Sequence, residues 1–238
     1  MPIKIAINGF GRIGKSFLKI AFDRPVDFDV VAINDLIDEK TLAYLLKYDS
    51  VYGRCDKKIK VIKEAAKTYL EVDGKKILSL TEKDPEKLPW KELEIDVVIE
   101  ATGVFTDDEG ASKHIKAGAN RVIITAPTKG DAPNLLLGVS DENFKESNLS
   151  KITSNGSCTT NAVSPIMKIM TETIGVKKAV LNTIHAYTVS QNIVDGPHKD
   201  LRRARSAALN IIPTTTGAAR ATAETIPDLK GKFDGLAF

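Results

Sequence analysis

The chain has 238 residues, 42% of them hydrophobic and 27% charged, with Lys+Arg 34 against Asp+Glu 31 and a formal net charge of +3. This is an ordinary globular composition, long enough for two domains. The charge excess is too small to argue for nucleic acid, and no apolar run is long enough to suggest a membrane span. Two distant cysteines, Cys55 and Cys158, have neither disulfide nor metal spacing, so no metal site and a reducing, cytoplasmic setting are expected.

Residues 3–8 read as a buried strand that begins almost at the first residue, so no targeting segment is expected ahead of it. Gly9-Phe10-Gly11-Arg12-Ile13-Gly14 follows, then a helical segment to about Phe22. Strand, glycine loop and helix in that order form the dinucleotide fingerprint. Its glycines allow a tight turn, a close approach of backbone to pyrophosphate, and close helix–strand packing. The helix N-terminus then faces the phosphates. A second strand, 29–33, ends in Asn34-Asp35-Leu36, and Asp35 lies 21 positions after Gly14. That spacing suits a carboxylate on the ribose hydroxyls, which would repel an added 2′-phosphate, so NAD is expected and NADP disfavoured.

A helix is predicted over 41–47, and 58–80 holds strand-like runs broken at Asp73-Gly74, a hairpin signal. Residues 83–91, with Pro85 and Pro89, read as a linker. A buried strand over 96–100 runs into Ala101-Thr102-Gly103, which suits either a ligand crevice or an ordinary strand-end turn. A helix is predicted over 107–117, placing His114 on a surface, and strands over 121–125, 135–139 and 151–154. The alternation of strands and helices argues for a doubly wound parallel sheet.

The second half opens on Ser154-Asn155-Gly156-Ser157-Cys158-Thr159-Thr160-Asn161, ahead of a helical pattern over 159–174. Cys158 thus falls at a helix N-terminus, where the dipole and unpaired N–H groups favour a thiolate, with hydroxyls from Ser157, Thr159 and Thr160 beside it. The stretch describes a nucleophile beside an anion site, or a small core cysteine after an Asn-Gly turn. Pro165 either kinks the helix or marks a late start to its regular part. A strand-like run over 178–187 carries His185 near its end. The segment 189–200 lacks periodicity and leads into Leu201-Arg202-Arg203-Ala204-Arg205, a length typical of functional or interfacial loops. Pro213-Thr214-Thr215-Thr216-Gly217 precedes a helix over 218–225, and a strand starts at Phe233.

From residue 3 onward the chain resembles the phosphorylating glyceraldehyde-3-phosphate dehydrogenases. The resemblance is carried by Asn8 to Gly14, Asn34-Asp35-Leu36, Leu46 to Ser50, Glu100 to Gly103, Ser157 to Asn161, Pro197 to Arg205 and Ile212 to Ala219. The Ser-Cys-Thr-Thr-Asn motif at this distance from Pro-Thr-Thr-Thr-Gly is the specific element. The resemblance implies a Rossmann-type doubly wound domain over 1–156. An α+β catalytic domain with an antiparallel sheet would follow over 157–238. It implies Cys158 as the nucleophile that forms a thiohemiacetal and then a thioester with glyceraldehyde 3-phosphate, and His185 as the base. Ser157, Thr159, Thr216 and Gly217 match its inorganic-phosphate site; Thr188 and Arg203 match residues binding anions around the substrate. Gly9, Gly11, Arg12, Ile13, Asp35, Thr102 and Thr125 match its NAD contacts. A homotetramer is implied too, with Arg202 and Arg205 either solvated or between subunits, and His198 and Cys55 incidental.

Two departures qualify the resemblance. Gly196 stands where NAD-preferring members commonly carry leucine, which weakens the argument against NADP. The catalytic domain spans only 82 residues, short of the family's length, so it is expected to be incomplete and the isolated chain poorly active. Two rivals stay open: an erythrose-4-phosphate dehydrogenase, and a non-catalytic fragment that binds NAD or, through Arg202 to Arg205, nucleic acid.

Overall fold

The computed structural model describes residues 1–144 and 149–238. These form two compact units, one of residues 1–134 and 149–155, the other of 135–144 and 156–238.

The first unit runs β1 (Ile3–Asn8), α1 (Arg12–Asp23), β2 (Phe28–Asn34), α2 (Glu39–Lys47), β3 (Tyr48–Asp49), β4 (Gly53–Arg54), β5 (Ile59–Glu64), β6 (Lys67–Val72), β7 (Lys75–Leu80), β8 (Val97–Glu100), α3 (Asp108–Lys116), β9 (Arg121–Ile124) and β10 (Ile152–Ser154). Eight strands make one sheet in the order β10-β9-β8-β1-β2-β7-β6-β5. The first six are mutually parallel, and β6 and β5 add an antiparallel edge. Alternation along β1 sorts its side chains. Ile5 and Ile7 join Val30, Ile33 and Ile99 beneath Leu18 of α1 and Leu42 and Leu46 of α2, while Ala6 joins Ala32, Val98 and Val122 beneath Trp90 and Ala111 of α3. Helices thus cover both faces, the doubly wound plan expected from the sequence. The chain passes from β1 to β2 on one side and returns to β8 on the other, so the carboxyl ends of β1 and β8 flank the switch point, where such sheets bind ligands.

Local chemistry explains the boundaries. Asp38 caps α2 by accepting from the Thr41 N–H at 3.0 Å, with Glu39 in the first turn and Lys47 in the last. Asp73 and Gly74 both take positive φ, as a tight two-residue hairpin turn between β6 and β7 requires.

In the second unit, α4 (Cys158–Thr173) runs through Pro165 without a break, and β11 (Ala179–Thr183), α5 (Ala218–Thr225) and β12 (Phe233–Ala237) follow. Met167, Ile226 and Leu229 pack with Leu136 and Val139 into its core. Here β11 and β12 pair in parallel; among the described residues, the antiparallel element expected in this half is a single bridge from Thr214 to Ala237.

Three local expectations are corrected. Residues 135–139 form a turn, not a strand, because Gly138 takes a φ of 76° and the Ser140 hydroxyl captures the Leu136 N–H at 3.0 Å. Residues 83–91 are no linker, since Leu88 and Trp90 are core residues. His114 is not on the surface but fully buried, because α3 turns Gly110, Ala111 and His114 inward together and both imidazole nitrogens find partners.

Candidate active site

In the first unit, the chain leaves β1 through Gly9 at a φ of 90°. A Cβ there would lie 2.6 Å from the Ala101 carbonyl carbon and the Thr102 nitrogen, so only glycine lets β1 and β8 close up at the switch point. Gly14 is constrained too, since its Cβ would lie 2.2 Å from the Gly9 oxygen, where α1 presses on the loop. Helix α1 has no side-chain cap and no acid in its first turn, so its N–H groups stay available to an anion. Asp35, just past β2, accepts from the Phe10 N–H at 2.6 Å and the Ile37 N–H at 3.0 Å, one donor per carboxylate oxygen, leaving lone pairs for further donors.

Gly9, Gly11, Asp35 and Thr102 share the wall of a cavity of about 490 Å³. Its volume, glycine floor and helix terminus fit a dinucleotide such as NAD. Arg12, Ile13 and Thr125 are not among its walls. The Arg12 guanidinium pairs with Asp49 at 2.6 Å, 5.4 Å from the Tyr52 ring centroid, and holds the Asp49 carboxyl far below the usual range. Ile13 is exposed, and the Thr125 hydroxyl donates to the Glu100 carbonyl at 3.1 Å. The cavity also includes Glu82, to which the sequence assigned nothing, and Lys83, expected only as the start of a linker. Their signal was position: they follow β7, whose carboxyl end lies beside that of β2.

In the second unit, Ser157 is the N-cap of α4, its hydroxyl accepting from the Thr160 N–H at 2.9 Å, and Cys158 is the first helical residue. The Cys158 sulfur lies 3.3 Å from His185 Nε2. His185 follows β11, and its N–H donates to the Phe238 carbonyl at 3.0 Å, so the β11–β12 pairing sets its backbone. The ring is oriented from the other side, Nδ1 lying 2.6 Å from the Ala186 carbonyl, which can only accept. Nδ1 therefore carries a proton, and Nε2 faces the sulfur as acceptor when the ring is neutral and as donor when it is charged.

The pair shifts in opposite directions. Burial pushes the Cys158 thiol up, but the bond from His185, helped by Thr159, outweighs it and brings the thiol below its ordinary value. The Ala186 carbonyl, then Cys158, raise the imidazole against a smaller opposing effect of burial. Both shifts favour thiolate and imidazolium together.

Around this pair the expected residues fall into separate groups. Thr159 Oγ1 lies 4.0 Å from the Cys158 sulfur. Thr188 meets Ser190 at 2.9 Å, and the Arg203 guanidinium donates to Ser190 and, through two nitrogens, to Thr214. Thr216 accepts from the Ala218 N–H at 3.2 Å where Gly217 opens α5, a helix fastened to α4 by the buried Ser164–Thr222 bond of 2.9 Å. Among the described residues, no hydrogen bond links Thr188, Arg203, Thr216 or Gly217 to Cys158 or His185.

Comparison with known proteins gives two family matches: the glyceraldehyde 3-phosphate dehydrogenase NAD binding domain over residues 3–108, and the C-terminal domain of the same enzyme over 157–238. The glyceraldehyde-3-phosphate dehydrogenase of Streptomyces coelicolor is 48% identical over 237 residues, covering 100% of this chain and 69% of its own. That of Borreliella burgdorferi is 51% identical, covering 98% and 69%. The chloroplastic glyceraldehyde-3-phosphate dehydrogenase A of Scenedesmus vacuolatus is 50% identical, covering 97% and 72%.

Proposed function

Because the chain belongs to the glyceraldehyde-3-phosphate dehydrogenase family, we propose that Cys158 is the nucleophile of an NAD-dependent, phosphorylating aldehyde oxidation and that His185 is its base. The observation that carries this reading is the 3.3 Å approach of the Cys158 sulfur to His185 Nε2 at the first turn of α4.

The thiolate attacks the aldehyde carbon of glyceraldehyde 3-phosphate, forming a C–S bond. The imidazolium gives its Nε2 proton to the new alkoxide and then recovers it as base. When bound, NAD would supply the acceptor for the hydride that this carbon must lose. Inorganic phosphate then displaces the sulfur from the oxidised acyl group, releasing an acyl phosphate and restoring the thiolate. Gly9, Gly11, Asp35 and Thr102 would hold the cofactor, with Arg12, Ile13 and Thr125 beside them. Ser157, Thr159, Thr216 and Gly217 would receive inorganic phosphate, and Thr188 and Arg203 the substrate's own phosphate. On the planar Arg203 guanidinium a phosphate would replace the hydroxyls of Thr214 and Ser190 and compete with the Asp200 carboxylate, 3.9 Å away.

The domain assignment, 1–156 for cofactor and 157–238 for chemistry, rests on the two family matches; the 135–139 turn is the exception, packing with the second unit. A homotetramer is supported by exposed Val189, Leu201, Leu209 and Ile211 in the 189–211 segment, more apolar surface than one loop ordinarily shows to water. No helix among the described residues is long and apolar enough to cross a membrane. The cytoplasmic reading rests on the reducing environment that a reactive thiol needs.

The test is phosphate-dependent NADH formation from glyceraldehyde 3-phosphate, compared with erythrose 4-phosphate. Preference for the triose with loss of turnover in Cys158→Ser bears the assignment out. Preference for the tetrose favours the rival dehydrogenase, and NAD binding without acylation of Cys158 favours the non-catalytic fragment; neither is favoured by the family matches.

A further inference from the structure

Behind the switch-point crevice lies a buried polar cluster to which the chemistry assigns no task. Glu100, the last residue of β8, is 1% exposed, and His114 and Trp90 are both fully buried. The Trp90 indole N–H donates to His114 Nδ1 at 2.9 Å. An indole nitrogen has no lone pair to offer, so Nδ1 is the bare nitrogen, the proton sits on Nε2, and His114 is neutral. Nε2 then donates to Glu100 Oε2 at 3.0 Å, and Asn8 Nδ2 donates to the same oxygen at 2.6 Å. The other oxygen, Oε1, accepts from the Thr102 N–H at 2.8 Å and from the Thr102 hydroxyl. Four polar groups thus meet the two oxygens, and the Glu100 carboxyl group is held entirely by hydrogen bonds away from solvent.

Both threonines expected at the cofactor are anchored here. Thr102 hangs on the Glu100 carboxyl group, while the Thr125 N–H and hydroxyl both donate to the Glu100 carbonyl, at 3.0 and 3.1 Å. Thr102 also sets the seat of Gly9, whose missing Cβ is what lets the loop lie on the Ala101–Thr102 peptide.

We propose that His114, which does not line the crevice, is a positioning residue for the cofactor. It holds Glu100 in one rotamer, and Glu100 fixes the Thr102 turn on which the glycine loop rests. The inference depends on the switch-point cavity being the NAD site.

Two near-isosteric variants separate positioning from mere stability. His114→Asn keeps an acceptor for Trp90 at the Nδ1 position and removes the donor to Glu100. His114→Gln keeps a donor at the Nε2 position and removes the acceptor for Trp90. Each breaks one buried bond, so both lower the melting temperature by similar amounts, and Trp90 emission moves in the Gln variant alone. Calorimetric titration of the 238-residue chain with NAD is expected to show affinity falling about tenfold in His114→Asn and staying within about threefold of the parent in His114→Gln. Equal losses in both variants, following stability, or no loss in either, overturn the proposal. Gly9→Ala guards the premise: if it binds NAD like the parent, the cavity is not the cofactor site and the inference falls with it. If it abolishes binding while the His114 variants behave alike, only the positioning role is lost.

Discussion

A cysteine at the first turn of a helix gains from the dipole, and Cys158 gains further from His185, whose ring is held at one nitrogen by the Ala186 carbonyl and offers the other to sulfur. The thiol is lowered and the imidazole raised, so the two values move toward each other and each group favours the charged form of the other. The signs are opposite: the Cys158 contribution is present above the ordinary thiol pKa and lost as pH falls through the lowered one. The His185 contribution is present below the ordinary imidazole pKa and lost as pH rises through the raised one. Alkylation of Cys158 by iodoacetamide is therefore expected to rise at a lower pH than for a free thiol near about 8.5, and His185→Asn should move the midpoint back up. An unchanged midpoint in that variant would remove His185 as the cause. At this scale the sequence was legible in placement: Gly9 at a tight turn, Asp35 just past a strand and beside that turn, and Cys158 at the head of a helix. It was misleading at His114, because nothing in a single sequence shows that Trp90, 24 positions earlier, and Glu100 turn toward the same ring.

Among elements, α4 carries the proposed nucleophile at its start, and its first turn depends on Ser157. Ser157→Ala should lower stability by about 1 kcal/mol, read from the denaturant midpoint, through loss of the bond to the Thr160 N–H. Ser157→Asp should restore the cap while placing a negative charge beside the sulfur, so stability recovers but thiolate formation shifts to higher pH. If Asp recovered both, the cap and not the local charge would govern the thiol. Element types were readable where periodicity is strong: the parallel strands, the Asp73-Gly74 hairpin and the helices. They failed where tertiary contacts decide, as at 135–139, which has a strand's composition but is turned by Gly138 and Ser140. The parallel β11–β12 pairing was equally hidden, since about fifty residues separate the two strands and neither carries a signal of direction.

Across the whole molecule, the single tryptophan is a probe confined to the first unit, where Trp90 is fully buried. Its emission should follow unfolding of that unit, while far-ultraviolet circular dichroism follows both. Added NAD should raise the Trp90 transition by mass action, by about 2.7 kcal/mol at a hundred times its dissociation constant. A Trp90 transition indifferent to NAD would place the cofactor elsewhere. The order of the sheet also has a consequence in time. The central strand β1 is made first, yet one of its two neighbours, β8, pairing Val97 with Ile5, is made about 90 residues later. At ribosomal rates of roughly 5–20 residues per second, one edge of β1 waits about 5–20 s for its partner. For that interval an apolar strand destined for the centre of the sheet has an open edge, so nascent chains of this protein should depend on whatever shields such edges during synthesis.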